Sequence, residues 1–539
     1  MLREYWGANS IMKSKEHTRQ VSGHSVGDLE DCVLDRDLRC VAPYFNTKMT
    51  LDLACFTETF TLNDALESIG FGKFHCKLAL MVTLSWIASS IEVMITSLLA
   101  PQLRCEWRLP SYQVALITSM LFFGMGTSSP VWGHMVDRYG RRVGLWICTI
   151  WTAYFGLLSS FAPTYGWFLF LRCIVGFGLG GTSQAMTLYS EFLPMKARGC
   201  SIMIIGGFWS TGTLIVVLLA MWIMPTLGWM WLLGLSVTPM AIFISVCFWI
   251  PESLRFDMLT GNTGKAMATL RRMAKENGKP LPQGKMIAFK QVSLHIHMHW
   301  RTTILLPFIW LANSFSYYGI VLLTTEFLQS EDSCGQARIE QTCSLQYKSL
   351  TSNDYKDILW TTLAEFPGLL LCMLGVDRIG RKKSMAVSYI ISFLSFLPLY
   401  GCIGRYVCHR RVLLFFVVVF ELNNCIKTTE AYFRFSASVY MFVQVTLALG
   451  ICIGMGRLGS LISPFVSQVM LTMSLYLTLS IYCGCCLLSA IACVMLPIET
   501  MGMGLRESTF DGDAVPSNTT NNRSSGATFS CCQGQIKPE

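Results

Sequence analysis

A chain of 539 residues that is 52% hydrophobic and 14% charged, with a mean hydropathy of +0.46, falls among membrane proteins, because no soluble fold of this length buries so much apolar sequence. The formal net charge of +9 invites a nucleic-acid reading, but the basic residues cluster in loops beside long apolar runs, where they set orientation and meet anionic lipid, so no nucleic-acid partner is expected. The 22 cysteines scatter mostly through apolar runs, where a thiol acts as a small hydrophobe, and they form no paired CxxC at zinc spacing.

The first 50 residues are polar, with no apolar core after a basic start. A cleavable signal peptide is therefore not expected, and the first span must act as the insertion signal. Within 61–74, Leu62, Ala65, Leu66 and Ile69 recur at helical spacing, which predicts a short helix capped by Thr61 or Asn63 and stopped at Gly70. That helix is expected along the cytosolic membrane surface.

Apolar runs long enough to span a bilayer lie near 77–102, 113–136, 143–162, 166–189, 200–222 and 229–250. A second set lies near 303–328, 357–376, 384–403, 411–430, 447–471 and 474–496. The predicted fold is an all-α membrane protein of twelve transmembrane helices in two parallel six-helix repeats. Its parts are a cytosolic segment 1–76, bundles at 77–250 and 303–497, a basic cytosolic loop 251–302, and a Ser/Thr/Asn/Gly-rich cytosolic tail 498–539 that cannot bury a core. Lys and Arg fall in loops after even-numbered spans, which places both termini in the cytosol. Arg405, Arg410 and Arg411 dissent. The sequons at Asn518 and Asn522 stay unused if the tail is cytosolic.

One loop occurs twice at half-chain spacing, as GHMVDRYGRR at 133–142 and GVDRIGRKK at 375–383. A loop repeated in matching positions between spans marks two parallel repeats. The duplication, with Arg172 and the glycines after it, resembles the major facilitator superfamily. EFLPMKARG at 191–199, PESLR at 251–255 and LPIET at 496–500 resemble its sugar-porter and organic-ion branches. ALESIGFGKF at 65–74, APQLRCEWRLP at 100–110 and SYYGIVLLTTE at 316–326 resemble the synaptic vesicle 2-related family, over about residues 58–507. The resemblance implies a transporter-like protein of a vesicle membrane. It also implies a cytosolic latch between the halves, built from Gly133, Asp137, Arg138, Gly140, Arg141, Arg142, Glu191, Arg198, Asp377, Arg378, Gly380 and Arg381. An orientation signal alone would need neither the acid nor the glycines.

Three departures stand out. Residues 431–449 lack the Pro and closing Arg of a second EFLPMKARG, which implies a weakened second gate or a misread stretch of gene. Ser89 replaces one of two acids usual in the first span, leaving Glu92. The central loop is short around 290–301.

Ionisable residues at membrane depth face a partner or a cavity, which makes Glu92, Arg172, Glu365 and Arg457 the substrate or coupling candidates. Glu421 also lies inside an apolar run. Arg172 matches a family position tied to structure or coupling. Arg457 stays charged and needs an anion, a water-filled cavity, or both; Glu92 is the expected counter-charge in the empty state, replaced by an anionic group of the solute. Gly176, Gly178 and Gly181 match a dinucleotide fingerprint but lie inside a span, which favours close helix packing. His295, His297 and His299 have no carboxylate or thiol nearby to complete a metal site, and Cys334 and Cys343 are a disulfide candidate in the long external loop. No catalytic constellation and no cofactor are expected. The expected function is gradient-driven transport of a small organic ion by alternating access; the alternative is a non-transporting vesicle protein that kept the fold, favoured by the 431–449 departure.

Overall fold

The computed structural model describes residues 59–282, 284–286, 300–329, 352–371, 380–403, 415, 417–420, 423 and 445–497. Every described helix lies in one compact unit, which begins at Phe60. Outside the described residues fall Asp377, Arg378, Glu421, Cys334, Cys343, the three histidines at 295–299, the basic residues at 405–411, both sequons and 431–444.

Helix α1 (Leu62–Ile69) is built as its sequence predicts. The Thr61 side chain accepts from the Asp64 N–H, the Asp64 carboxylate accepts from the Thr61 N–H at 3.0 Å, and Gly70 ends the helix at φ 62°. Leu62, Ala65, Leu66 and Ile69 are all buried. They do not lie on lipid, however. Their face packs into a core shared with Leu270 and Met273 of α11 (Thr263–Asn277), which a second short helix, α10 (Leu254–Leu259), precedes. The apolar face is thus covered by the chain itself.

The first-half helices are α2 (Lys73–Trp107), α3 (Ser111–Tyr139), α4 (Arg141–Ser159), α5 (Tyr165–Leu179), α6 (Gln184–Phe192), α7 (Met195–Ile223), α8 (Trp229–Ser236) and α9 (Thr238–Cys247). The second-half helices are α12 (Trp300–Gln329), α13 (Ser352–Leu363), α14 (Arg381–Ile403), α15 (Val445–Pro464) and α16 (Leu475–Met495), with a π-helical turn, Phe465–Met470, after α15. Among the described residues, eight segments are long and apolar enough to cross a bilayer: Lys73–Trp107, Ser111–Tyr139, Tyr165–Phe192, Ala197–Ile223, Trp229–Cys247, Ile304–Glu326, Lys382–Tyr400 and Leu475–Met495.

The expected sixth span is split between α8 and α9. Pro239 lies in the first turn of α9, where it lacks an N–H and its ring crowds the carbonyl four residues back. The glycines of α5 serve packing. A methyl group at Gly176 would lie 2.0 Å from the Leu121 carbonyl of α3, and one at Gly178 would lie 2.3 Å from Thr152 Oγ1 of α4.

The duplication shows in the backbone. Gly140 and Gly380 take φ 101° and 96°, a region costly for any residue with a Cβ, and each immediately precedes a helix, α4 and α14.

Candidate functional site

A cavity of about 40 Å³ lies between helices of the two halves. Ser97 of α2 and Thr213 of α7 wall it from the first half; Tyr317, Thr324 and Thr325 of α12, with Thr361, Thr362 and Glu365, wall it from the second. The cavity has room for two or three waters, and its walls mix these hydroxyls with apolar side chains such as Met94, Leu98 and Val216. A hydrogen-bonded chain crosses it. Trp209 Nε1 of α7 donates to the Tyr317 hydroxyl at 3.1 Å, which donates to Glu365 at 3.4 Å.

Toward the ends of α2 and α12 the halves are fastened. Arg104 donates to Glu326 at 2.8 Å, with side chains only 3% and 8% exposed. Ser119 of α3 donates to the Leu461 carbonyl of α15 at 3.0 Å, and the rings of Phe122 and Tyr318 meet at 4.5 Å. All these contacts lie between mid-helix and the Trp107 end.

Glu92 does not meet Arg457. Its carboxylate takes Arg172 at 3.4 Å and the Ser236 hydroxyl at 2.7 Å, while Arg172 also donates to Ser159 at 3.0 Å and lies over the Phe168 ring. Both charges are fully buried inside the first half. Arg457 is half-buried in α15 and pairs with no carboxylate among the described residues. Its Cβ would lie 3.7 Å from a methyl group at Gly126 of α3, on the seam between halves.

At the opposite end, the contacts of the DRYGRR loop run to first-half partners. The backbone N–H groups of Arg141 and Arg142 donate to Glu252 at 2.7 and 3.1 Å, a carboxylate set on the positive end of α4. The Arg141 guanidinium pairs with Glu191 at 3.0 Å, Ser253 donates to Glu191, and Arg142 donates to the Phe248 carbonyl at 2.7 Å. Arg198 donates to the Leu193 carbonyl at 3.1 Å. Gly133 is half-buried, while Asp137 and Arg138 are exposed. Burial and then the nearby Glu252 charge raise the Asp257 carboxyl above its ordinary value, with Lys265 opposing. The three motifs EFLPMKARG, PESLR and DRYGRR therefore form one junction.

Such a junction makes a definite prediction. Glu252→Ala should destabilise the detergent-solubilised protein by the cost of a lost helix cap, about 1–2 kcal/mol, seen as a lower melting temperature. An unchanged melt would reduce Glu252 to a surface charge.

The description "Sugar (and other) transporter" fits residues 60–325 as a family model. The synaptic vesicle 2-related protein of Pongo abelii is 49% identical over 506 residues, spanning 92% of this chain and 89% of that protein. Its counterpart in Xenopus laevis is 51% identical over 461 residues, spanning 84% and 83%. The chain belongs to the synaptic vesicle 2-related family of the major facilitator superfamily. Its fold is similar to that of the E. coli xylose transporter XylE in an inward open conformation, with a TM-score of 0.61 at 16% identity over 80% of this chain and 98% of that one. As a member of this family the chain is a multi-pass membrane protein with a transporter fold.

Within this synaptic vesicle 2-related chain, Arg104, Glu326, Tyr317, Trp209 and Glu252 are functional candidates that the spacing of charges did not single out. Arg104 and Glu326 sit in APQLRCEWRLP and SYYGIVLLTTE, at the ends of the first and seventh apolar runs. Opposite charges at matching ends of those two spans were the available signal.

Proposed function

We propose that the protein is a secondary transporter of a vesicle membrane that moves a small organic ion by alternating access, driven by an ion gradient. One observation carries this reading: a mid-depth cavity is walled by both halves, and the buried Arg104–Glu326 pair joins those halves toward one end. Halves joined toward one end of a central cavity are what a rocking pair of bundles presents in one of its two states. The accumulation of Lys and Arg supports a cytosolic position for the DRYGRR end and both termini, which would make the Arg104–Glu326 end lumenal. The relatives' name supports a vesicle location.

The solute carries a negative charge in this reading. Arg457 is a permanent cation at membrane depth whose expected partner, Glu92, is committed to Arg172. An anionic group of the solute completes it. The full chain in proteoliposomes should therefore support counterflow of a member of an organic-anion panel (lactate, citrate, glutamate). Arg457→Met should abolish it at normal membrane levels. Choline or tetraethylammonium entering in place of every anion would defeat the assignment. No flux at all, with intact protein, would favour a non-transporting vesicle protein.

A further inference from the structure

Glu365 is placed unlike any other acid of the described chain. It is 6% exposed and lines the inter-half cavity, whose described wall contains no Lys, Arg, His or second carboxylate. Its neighbours are hydroxyls: Tyr317 of α12 donates at 3.4 Å, and Ser210 of α7 also hydrogen-bonds it. Among the described residues, Glu92 of α2 is committed to Arg172 and Glu326 of α12 to Arg104. Tyr317 is the one titratable group facing Glu365 from this wall.

The backbone around Glu365 is also broken. Helix α13 ends at Leu363, Ala364 forms a turn, and the helix resumes at 365–371. Pro367 accounts for the break, since it lacks an N–H and crowds the Leu363 carbonyl four residues back. Interrupted spans at mid-membrane are where carriers place ion sites.

An ionised carboxylate at this depth needs a cation or abundant water. The cavity, at about 40 Å³, holds two or three waters and no organic cation. We propose that Glu365 is the coupling site of the transport cycle and that its ligand is a proton. This rests on the transporter reading above and names its driving ion. The neutral acid passes through the closed state, accepting from Tyr317 and Ser210. When the cavity opens and floods, the proton leaves to that water, and the carboxylate keeps the two hydroxyls as donors. Because Ser210 and Trp209 lie on a first-half helix while Tyr317 and Glu365 lie in the second half, the proton's loss alters a bond that joins the halves. A proton therefore moves with each anion bound at Arg457, which limits the charge carried across the membrane.

Two measurements on the full chain in proteoliposomes test this. Infrared difference spectra between neutral and alkaline buffer should show a buried protonated carboxyl in the wild type. The band should vanish in Glu365→Gln, shift in frequency in Glu365→Asp, and persist in Glu92→Gln. No titrating band, or one unaffected by either Glu365 substitution, overturns the proposal. In the second measurement, one unit of pH gradient should accumulate the transported anion by up to about tenfold per proton. Glu365→Gln should lose that accumulation while still exchanging anion for anion. Undiminished accumulation in Glu365→Gln would sink the coupling role. If no anion of the panel enters, the transporter reading fails, and the infrared band alone still decides whether Glu365 holds a proton. Glu365→Asp serves the same decision should the Gln variant not fold.

Discussion

Arg104→Met is expected to unfasten the Trp107 end of the molecule. The guanidinium and Glu326 meet at 2.8 Å, almost fully out of solvent, on α2 and α12. Removing one partner of a buried pair strands the other charge, at about 3–5 kcal/mol. The penalty falls only on the closed arrangement, since Glu326 meets water once that end opens. A shift of this size moves a two-state population by roughly two to four orders of magnitude. Cys105, beside Arg104 and partly exposed, provides the readout through modification by a membrane-impermeant maleimide. Its rate should rise sharply in Arg104→Met and in Glu326→Gln, and fall back in Arg104→Met/Glu326→Leu. Wild-type rates in both single variants would show that other contacts hold this end shut.

Arg172→Met should instead prevent accumulation of folded protein. The Glu92–Arg172 pair is sealed within the first half, among Ser159, Ser236 and Phe168. Stranding Glu92 there costs the same about 3–5 kcal/mol, against a total stability of roughly 5–15 kcal/mol. Opening the chamber does not relieve it, because every partner belongs to the same half. Membrane level and melting temperature are the measures. The double variant Glu92→Met/Arg172→Met should recover much of the loss, as buried pairs often give way to apolar residues without penalty. A stable Arg172→Met protein would mean that water reaches Glu92.

The contrast between these pairs shows what a sequence conveys. The cap and apolar face of α1, the glycine packing of α5 and the repeat seen at Gly140 and Gly380 were all legible, because each depends on neighbours a few residues away or on a motif repeated whole. Pairings between distant helices were not. Spacing marks Glu92, Arg172 and Arg457 as charges inside spans but cannot say which helix faces meet, so it offers Arg457 as the counterpart of Glu92 when Arg172 is its partner. Arg104 and Glu326 escaped notice because charges at span ends look like ordinary membrane anchors. The cavity wall was equally opaque: Trp209 and Tyr317 look like span aromatics until the fold brings their polar atoms within 3.1 Å. Most of the departure at 431–449 lies outside the described residues, and its effect on a second gate stays with the sequence argument.

The link between the halves is shorter than its polar composition suggests. Asn277, the last residue of α11, accepts from the Phe74 N–H at 3.0 Å and donates to the Gly70 carbonyl at 3.1 Å, fastening α11 to the start of α2. Lys77 reaches Glu276 at 3.0 Å, and His75 donates from Nε2 to the Phe192 carbonyl at 2.9 Å. Residues 254–277 are thereby cargo of the first half. In an alternating-access cycle these two helices would travel as ballast bolted to α2, as far as Asn277. A protease cut placed beyond that point should leave the pair riding with the first fragment.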